Sequence, residues 1–178
     1  MTNVEFEASI KLIQTGNKIG LEKIYNEYIT VIYSVVLSIV KNKENAEDIT
    51  SDFFIKLWDK SKFYNFSCKH KSWLITIAHN MAIDFLRKNK SEVLVDEIFE
   101  EGYLNENSFE NHVHHKIIFE NALSKLKDTE RQVVNMRILG DLTFKEISHI
   151  LNKPLGTIAW QYKNAINKLR RYEYEEIK

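Results

Sequence analysis

Aromatic and cationic side chains alternate in one stretch of the sequence, a combination suited to single-stranded nucleic acid. Phe63, Tyr64 and Phe66 are interleaved with lysines between residues 60 and 71. Aromatic rings stack on unpaired bases, each stack contributing roughly 1–3 kcal/mol, while ammonium groups follow the phosphates. A basic loop whose aromatic rings simply fill the protein core would show the same pattern. The residues alone leave these two interpretations equally open.

Carboxylates recur on one face of a helix predicted over residues 44–60. Asp48 and Asp52 lie four residues apart, where like charges on an isolated helix repel by a few tenths of a kcal/mol. A partner rich in Arg or Lys would turn this repulsion into attraction. Spacing alone favours the simpler interpretation, a solvated acidic face near a helix N-terminus, which the helix dipole tolerates.

A helix–turn–helix is predicted near the C-terminus. Thr143 and Glu146 have the spacing of a capping box, and Asn152 can adopt the left-handed conformation of a tight turn. Pro154 suits the first position of a second helix. The predicted packing stripe of that helix consists of Ile158, Tyr162, Ala165, Ile166 and Leu169. This motif commonly binds DNA. A helical hairpin that binds protein would have the same spacing.

No enzyme class is indicated. The cluster His112-x-His114-His115 could suggest a metal, but no Cys or carboxylate completes a site at fixed spacing, so surface histidines are expected. The chain has no Gly-rich phosphate loop and no nucleophile motif. Its single cysteine, Cys68, excludes an internal disulfide and is expected to be an inert thiol. We therefore expect a protein without catalytic activity, metal or cofactor.

The formal net charge is zero, with 25 cations and 25 anions, but the charges are segregated. Residues 60–90 contain seven Lys or Arg and a single acid, whereas residues 92–110 contain seven acids and no cation. The part from residue 123 onward is mildly basic. Local fields rather than the sum determine binding partners, so the neutral total does not exclude nucleic acid.

Few breakers and a helical repeat of apolar residues predict an all-α fold, since the chain has only five Gly and one Pro. Within 71–89, Trp73, Ile77, Met81 and Phe85 recur every four residues and are expected to face the core. Asp128 is predicted to cap a helix that Gly140 ends. Helices are predicted near residues 5–15, 19–40, 44–60, 71–89, 114–126, 129–139, 143–151 and 155–172.

Two small helical domains are predicted, residues 1–90 and 114–178. Residues 91–113 lack a helical stripe and are expected to form an acidic linker between them. No apolar run is long enough to span a bilayer, and residues 1–20 lack a secretory pattern, so no membrane insertion and a cytoplasmic location are expected.

Several segments resemble the extracytoplasmic-function class of bacterial sigma factors, part of the sigma-70 family. AEDITSDFFIKLW, residues 46–58, resembles the segment of that family that binds core RNA polymerase. WLITIAHNMAIDFLRKNK, residues 73–90, resembles its promoter-melting and −10 helix. LKDTERQVVNMRILGDLTFKEISHILNKPLGTI, residues 126–158, is similar to its −35-binding domain. The resemblance covers roughly residues 21–90 and 120–171.

The resemblance implies a factor that binds core polymerase and directs promoter recognition, melting and initiation. Its implied partners are the coiled coil of the largest polymerase subunit, the polymerase flap, double- and single-stranded promoter DNA, and an anti-sigma factor. The implied polymerase-binding residues are Glu47, Asp48 and Asp52. The implied −10 DNA-binding residues are Tyr64, Phe66, Lys69, Lys71, Thr76, Asn80, Arg87 and Lys88. The implied −35 DNA-binding residues are Thr157, Ala159, Gln161, Lys163, Lys168 and Arg170.

The recognition helix departs from the family pattern. Positions 159, 161, 164 and 166, often cationic in the family, are neutral here, and Lys163 is the only cation between Pro154 and Asn167. Gln161 is expected to compensate by a bidentate contact with adenine. Two alternatives stay open: a degenerate relative that binds DNA or a protein without supporting initiation, and a helix–turn–helix regulator that acts without polymerase.

Overall fold

A computed structural model of the protein describes residues 1–66, 69–89, 123 and 125–176, with side chains to residue 172. These residues are helical, without strands, as the sequence predicted. The predicted linker, residues 91–113, and most of the predicted helix 114–126 lie outside the described part. In chain order the helices are α1 (Asn3–Gln14), α2 (Lys18–Val40), α3 (Lys43–Lys60), a 3₁₀ turn (Ser61–Phe63), α4 (His70–Asn89), α5 (Asp128–Ile138), α6 (Phe144–Leu151) and α7 (Leu155–Glu176).

Side-chain caps set the starts of the first three helices. Thr2 and Glu5 form a capping box at α1, and Asn17 accepts a hydrogen bond from the backbone N–H of Ile19 at α2. Asn42 accepts a hydrogen bond of 2.8 Å from the backbone N–H of Asn45 at α3. Such caps each contribute about 1 kcal/mol, so short polar connections suffice to separate long helices.

Helix α2 is the centre of the molecule, in contact with α1, α3, α4 and α5. Its Ile24, Ile32 and Val35 are completely buried. Helix α3 adds a stripe of Ile49, Phe53 and Leu57, which recur every four residues and are all buried. The core therefore forms around α2, and α3 and α4 each retain one solvent-exposed face.

The core face of α4 differs from the prediction. The buried residues are Leu74, Ile75, Ile77, Ala78 and Ala82, whereas Trp73, Met81 and Phe85 are only partly buried at the edge of the core. The two alanines explain the difference, because small side chains let α4 approach α2 closely. The larger side chains then pack at the margins of that contact.

The C-terminal helices form the predicted helix–turn–helix. Thr143 and Glu146 make the capping box of α6, and Asn152 ends it in the left-handed conformation with φ of 49°. Pro154 immediately precedes α7, and its carbonyl accepts from the Ile158 amide at 3.2 Å. Asp128 is the first residue of α5 and not its cap, because Glu130 accepts the hydrogen bond from the Lys127 amide.

Gly140 has a different role from the predicted helix stop. Helix α5 ends at Ile138, and the left-handed residue of the following turn is Asp141, with φ of 52°. A Cβ atom on Gly140 would lie 2.5 Å from Ile75 Cδ1 and 2.7 Å from the carbonyl oxygen of Met136. Glycine is required there because the loop after α5 packs tightly against α4.

The C-terminal helices pack directly on the N-terminal ones. Val133 and Met136 of α5 belong to the same buried cluster as the residues of α2 and α4. The Asn135 side-chain amide donates to the Ser34 carbonyl at 3.1 Å. The described residues therefore share one continuous core across the two predicted domains. Among these residues no helix is long and apolar enough to cross a membrane, and no cluster of potential metal ligands occurs.

Candidate functional site

The predicted acidic face of α3 is exposed to solvent. Glu47, Asp48 and Asp52 lie on the side of the helix opposite its buried stripe. Asp48 and Asp52 have no ion pair within the described residues, and Glu47 has a long one, 4.0 Å from the Lys43 ammonium. Three carboxylates are thus available to a cationic surface on one rigid helix.

An exposed apolar side chain, which the sequence analysis did not select, lies beside these carboxylates. Ile55, seven residues and almost two full helical turns beyond Asp48, is 68% exposed. Together with Leu21, Tyr25 and Trp58 it lines a shallow groove between α2 and α3. Helical spacing from Asp48 would have placed Ile55 on the acidic face, since residues seven apart share a face. The face therefore combines charge with an apolar contact area.

The aromatic residues between the 3₁₀ turn and α4 have separate roles. Tyr64 is buried, its ring 5.3 Å from Phe6 and 4.9 Å from Trp73, so it packs in the core and cannot stack on a base in this arrangement. The predicted DNA contact of Tyr64 would require a different placement of the ring. Phe66 remains 40% exposed, with the Lys11 ammonium 5.4 Å from its ring centre.

Phe63 is the most exposed aromatic ring of this region, at 82%, although it was not among the predicted site residues. It ends the 3₁₀ turn that follows α3. The alternation of aromatic and cationic residues therefore contains both of the roles that the sequence left open: Tyr64 fills the core, while Phe63 and Phe66 face solvent. Residues 67 and 68, including Cys68, lie outside the described part.

The outer face of α4 carries the remaining predicted −10 residues. Asn80, Arg87 and Lys88 are exposed, and the Arg87 guanidinium lies 3.1 Å from the Asp84 carboxylate. Thr76 is half-buried, and its hydroxyl donates its hydrogen to the Ser72 carbonyl at 2.7 Å, so its oxygen can only accept from a ligand, beside a contact through the methyl group. The 20-residue helix extends about 30 Å, which is long enough to follow several nucleotides.

A buried histidine fixes the start of α4. The Tyr28 hydroxyl donates to His70 Nε2 at 2.6 Å, and His70 Nδ1 donates to the Asn3 side-chain oxygen. The imidazole stacks on Phe6 with 4.7 Å between ring centres. Burial, with a smaller effect of the neighbouring Lys71 ammonium, lowers the pKa of His70 to about 4. The ring is therefore neutral at physiological pH and joins α1, α2 and α4.

The lysines on either side of His70 are paired with the C-terminal helices. The Lys69 ammonium lies 3.2 Å from Glu146, and the Lys71 ammonium lies 3.0 Å from Asp141. The hydrogen bond and charge of Lys71 lower the pKa of Asp141. Partial burial opposes the same shift at Glu146, but hydrogen bonds from Thr143 and Lys69 lower its pKa overall. Two predicted −10 residues are thus neutralised by the predicted −35 domain.

The recognition helix α7 presents only part of its predicted site. Lys163 and Arg170 are exposed, and Thr157 and Ala159 are partly exposed. Gln161 lies on the packed side, only 9% exposed, and its Oε1 atom has no hydrogen-bond partner in the described part of the chain. Its amide therefore packs against the protein here, and the predicted adenine contact would require a different arrangement. The stripe of Ile158 and Ala165 already implied this, because residue 161 lies between them on the helix surface.

Lys168 is also engaged inside the protein. Its ammonium lies 2.7 and 3.0 Å from the two oxygens of Glu130, whose side chain is 5% exposed. This ion pair joins α7 to α5. Lys168 is therefore a structural residue in this arrangement, which differs from its predicted phosphate contact.

Both parts of the chain match known families. Residues 24–92 match Sigma-70 region 2, and residues 122–171 match Sigma-70, region 4. The chain is 33% identical over 136 residues to the ECF RNA polymerase sigma factor SigM of Bacillus subtilis (strain 168), covering 74% of this chain and 82% of that protein. It is 27% identical over 180 residues to the ECF RNA polymerase sigma factor SigW of the same strain, covering 91% and 93%.

Solved structures show the same fold. The sigma factor RpoE, crystallised with the anti-sigma factor NepR from Bartonella quintana, gives a TM-score of 0.64 at 19% identity, over 86% of this chain and 96% of that one. CnrH, in complex with the cytosolic domain of CnrY, gives a TM-score of 0.62 at 14% identity, over 94% and 96%. With both regions present and in order, the chain belongs to the ECF class of the sigma-70 family and is an alternative sigma factor that directs transcription initiation.

Proposed function

We propose that Glu47, Asp48 and Asp52 dock on the basic coiled coil of the largest subunit of bacterial RNA polymerase. The proposal rests on one observation: three exposed carboxylates share a helix face with the exposed Ile55. Charge complementarity guides the encounter, while burial of the isoleucine contributes salt-independent affinity. The C-terminal domain, residues 114–178, binds the polymerase flap, and the acidic linker, residues 91–113, connects it to the N-terminal domain, residues 1–90.

The N-terminal domain binds the non-template strand of the −10 element once the duplex opens. Phe66 stacks on a base, Lys69 and Lys71 contact phosphates beside it, and the outer face of α4 continues the path through Asn80. Thr76 supplies its methyl group and its hydroxyl oxygen as an acceptor, and Arg87 and Lys88 hold phosphates further along. Opening the duplex costs a few kcal/mol per unstacked base, which the stack and the phosphate contacts offset. Tyr64 supports this surface from beneath as a core residue.

The C-terminal domain reads the −35 duplex through α7, with Thr157 and Ala159 facing the groove and Lys163 and Arg170 at phosphates. So few cations give weak binding by the isolated domain. Polymerase compensates, because a factor held at two points meets its second site at a high effective concentration. The sigma factor therefore depends on polymerase for useful promoter affinity.

An anti-sigma protein is the second proposed partner, and the cytoplasm is the proposed location. Support comes from the two solved structures of similar fold, one of them a complex with an anti-sigma factor and the other a complex with the cytosolic domain of CnrY. The ECF relatives of this chain are named as RNA polymerase sigma factors. Bacterial RNA polymerase acts on the chromosome, which lies in the cytoplasm.

Charge reversal on α3 tests the docking surface. The double variant Asp48→Arg, Asp52→Arg should abolish co-elution with core polymerase, because two attractions become repulsions, while its helical circular dichroism and unfolding temperature stay near the wild-type values. Glu7→Arg with Asp84→Arg is the matched control, since it makes the same change in net charge away from α3. Wild-type affinity of the α3 variant for core polymerase would refute the docking assignment.

Run-off transcription separates initiation from mere binding. Core polymerase supplemented with the full chain should produce transcripts from promoters selected out of a random library. A chain that co-elutes with core polymerase but supports no transcript from any promoter would instead be the degenerate relative that the neutral recognition helix suggested.

A further inference from the structure

Trp160 occupies the exposed side of the recognition helix. Its side chain is 63% exposed, in the second turn of α7, whereas Ile158 and Ala165 are completely buried. At 100° per residue, position 160 lies nearly opposite the packed stripe of those two residues. The polar Gln161 next to it is turned toward the protein, so the apolar indole takes the outward position that the amide was expected to have.

Exposure of a single large apolar residue is common on protein surfaces and by itself indicates nothing. The surroundings of Trp160 are more specific. Residues near the start of the second helix of a helix–turn–helix are those that meet base edges in the major groove. Trp160 lies there, and the exposed cations Lys163, Arg170 and Arg171 follow on the same side of α7. The indole therefore lies at the N-terminal end of a surface whose C-terminal part can bind phosphates.

The helix can also approach a duplex closely at this point. Gly156 lies one turn before Trp160, on the same side, and a Cβ atom there would meet no atom within 4 Å. Side chains of a helix lean toward its N-terminus, so the indole extends over the turn that contains this glycine. With no side chain at residue 156, the indole is the first large group that an approaching duplex meets.

The chemistry of the major groove identifies what an indole can read. Thymine presents a C5-methyl group, the apolar feature that distinguishes it from the other bases in that groove. The face or edge of an indole packs well on a methyl group, and its Nε1–H can donate to a neighbouring base acceptor. Cationic and amide side chains, the usual readers of guanine and adenine, have no comparable selectivity for the methyl.

We propose that Trp160 is a specificity-determining residue that recognises a thymine of the −35 element through its C5-methyl group. The inference rests on the proposed function, because it requires α7 to bind the −35 duplex. It also accounts for the low charge of the recognition helix. An apolar contact contributes affinity that salt does not screen, whereas each phosphate contact is weakened as salt rises.

Promoter selection with the complete holoenzyme provides the test. Core polymerase with the full chain is used to select from a library randomised in the −35 element, in parallel for wild type, Trp160→Ala and Trp160→Phe. Wild type should enrich thymine at one position or two adjacent positions. Trp160→Ala should lose that enrichment, Trp160→Phe should keep part of it, and preferences at the other positions should remain. Leu155→Ala is the matched control, since Leu155 is also exposed on α7 but lies well away from Trp160 around the helix.

Removal of the methyl group itself gives the sharper comparison. Deoxyuridine in place of the selected thymine should lower wild-type promoter binding roughly fourfold, the change expected for loss of one buried methyl group. The same replacement should leave Trp160→Ala unaffected. Equal effects of deoxyuridine on wild type and Trp160→Ala, or unchanged library preferences in both Trp160 variants, would overturn the inference. Absence of any selected promoter with wild type would instead overturn the proposed function.

Discussion

At the scale of single residues, His70 should make folding stability depend on pH. Burial holds its pKa near 4 in the folded chain, against 6.5 as the ordinary value. The unfolded chain therefore binds a proton below pH 6.5 that the folded chain does not bind until about pH 4. The contribution is complete above pH 6.5 and is lost as pH falls through that window. One pKa unit corresponds to about 1.4 kcal/mol, and with allowance for relaxation of the structure around the buried ring we expect a loss of about 1–2 kcal/mol.

Urea unfolding at neutral and at mildly acidic pH measures this loss. His70→Gln supplies the comparison, because glutamine cannot bind the proton although it retains hydrogen-bonding groups. The variant should be less stable than wild type at neutral pH but should lose less stability on acidification. An equal pH dependence in the two proteins would assign the effect to other groups, such as the carboxylates.

Tyr64 and Gln161 show how far single-residue function can be predicted from the sequence. A mixture of aromatic and cationic residues cannot distinguish a ring that stacks on bases from a ring that completes the core. That choice is made by partners distant in sequence, here Phe6 for Tyr64. For Gln161 the helical spacing from Ile158 and Ala165 indicates the packed side that the structure shows, whereas the resemblance to the family indicates a DNA contact.

At the scale of helices, the ion pair between Lys168 and Glu130 should stabilise the C-terminal domain, and Lys168 should not contribute to DNA binding. Lys168→Met leaves the Glu130 carboxylate buried without its partner. Loss of one member of a buried pair typically costs 3–5 kcal/mol, and since the Lys168 side chain is 37% exposed, about 2–3 kcal/mol is expected. The expected result is a lower unfolding temperature of the full chain.

Lys163→Met is the control from the same helix, since its exposed ammonium should affect promoter affinity and its salt dependence without changing stability. The double variant Lys168→Met, Glu130→Gln should recover part of the lost stability, because it removes the unpaired charge. A Lys168→Met protein with wild-type stability and reduced promoter binding would restore Lys168 to the phosphate-binding role.

Helix boundaries followed closely from local sequence signals. The capping box of Thr143 and the left-handed Asn152 were recognisable because a cap depends on residues within one turn of each other. The core face of α4 was predicted less well, because the large apolar residues carried the stronger periodic signal while the small Ala78 and Ala82 are completely buried. Likewise, Gly140 was noticed as a helix breaker, but its packing against Ile75 involves a residue far away in the sequence.

At the scale of the whole molecule, the two proposed DNA-binding surfaces are linked by direct contacts. In the described residues the C-terminal helices contact the N-terminal ones. Helix α5 packs on α2, Glu146 pairs with Lys69, and Asp141 pairs with Lys71. Exposed ion pairs contribute at most about 1 kcal/mol each, so the apolar contacts of α5 and of the loop at Gly140 hold the arrangement together. The ion pairs have another consequence, because they occupy two lysines of the proposed −10 surface. We therefore expect DNA and the C-terminal domain to compete for the same ammonium groups.

Removal of the two carboxylate charges should relieve this competition. Asp141→Asn with Glu146→Gln keeps the side-chain shapes, and Gln retains the capping box with Thr143. The free variant should bind a fluorescent single strand of −10 sequence more tightly than wild type. If two phosphate contacts are gained, the slope of log affinity against log salt should become steeper by about 1.4. Asp128→Asn, which breaks the separate pair with Lys41, is the control and should leave the slope unchanged.

Addition of Lys69→Ala and Lys71→Ala to the double variant should cancel its gain in affinity for the single strand. A gain that persists without those lysines would disprove the competition.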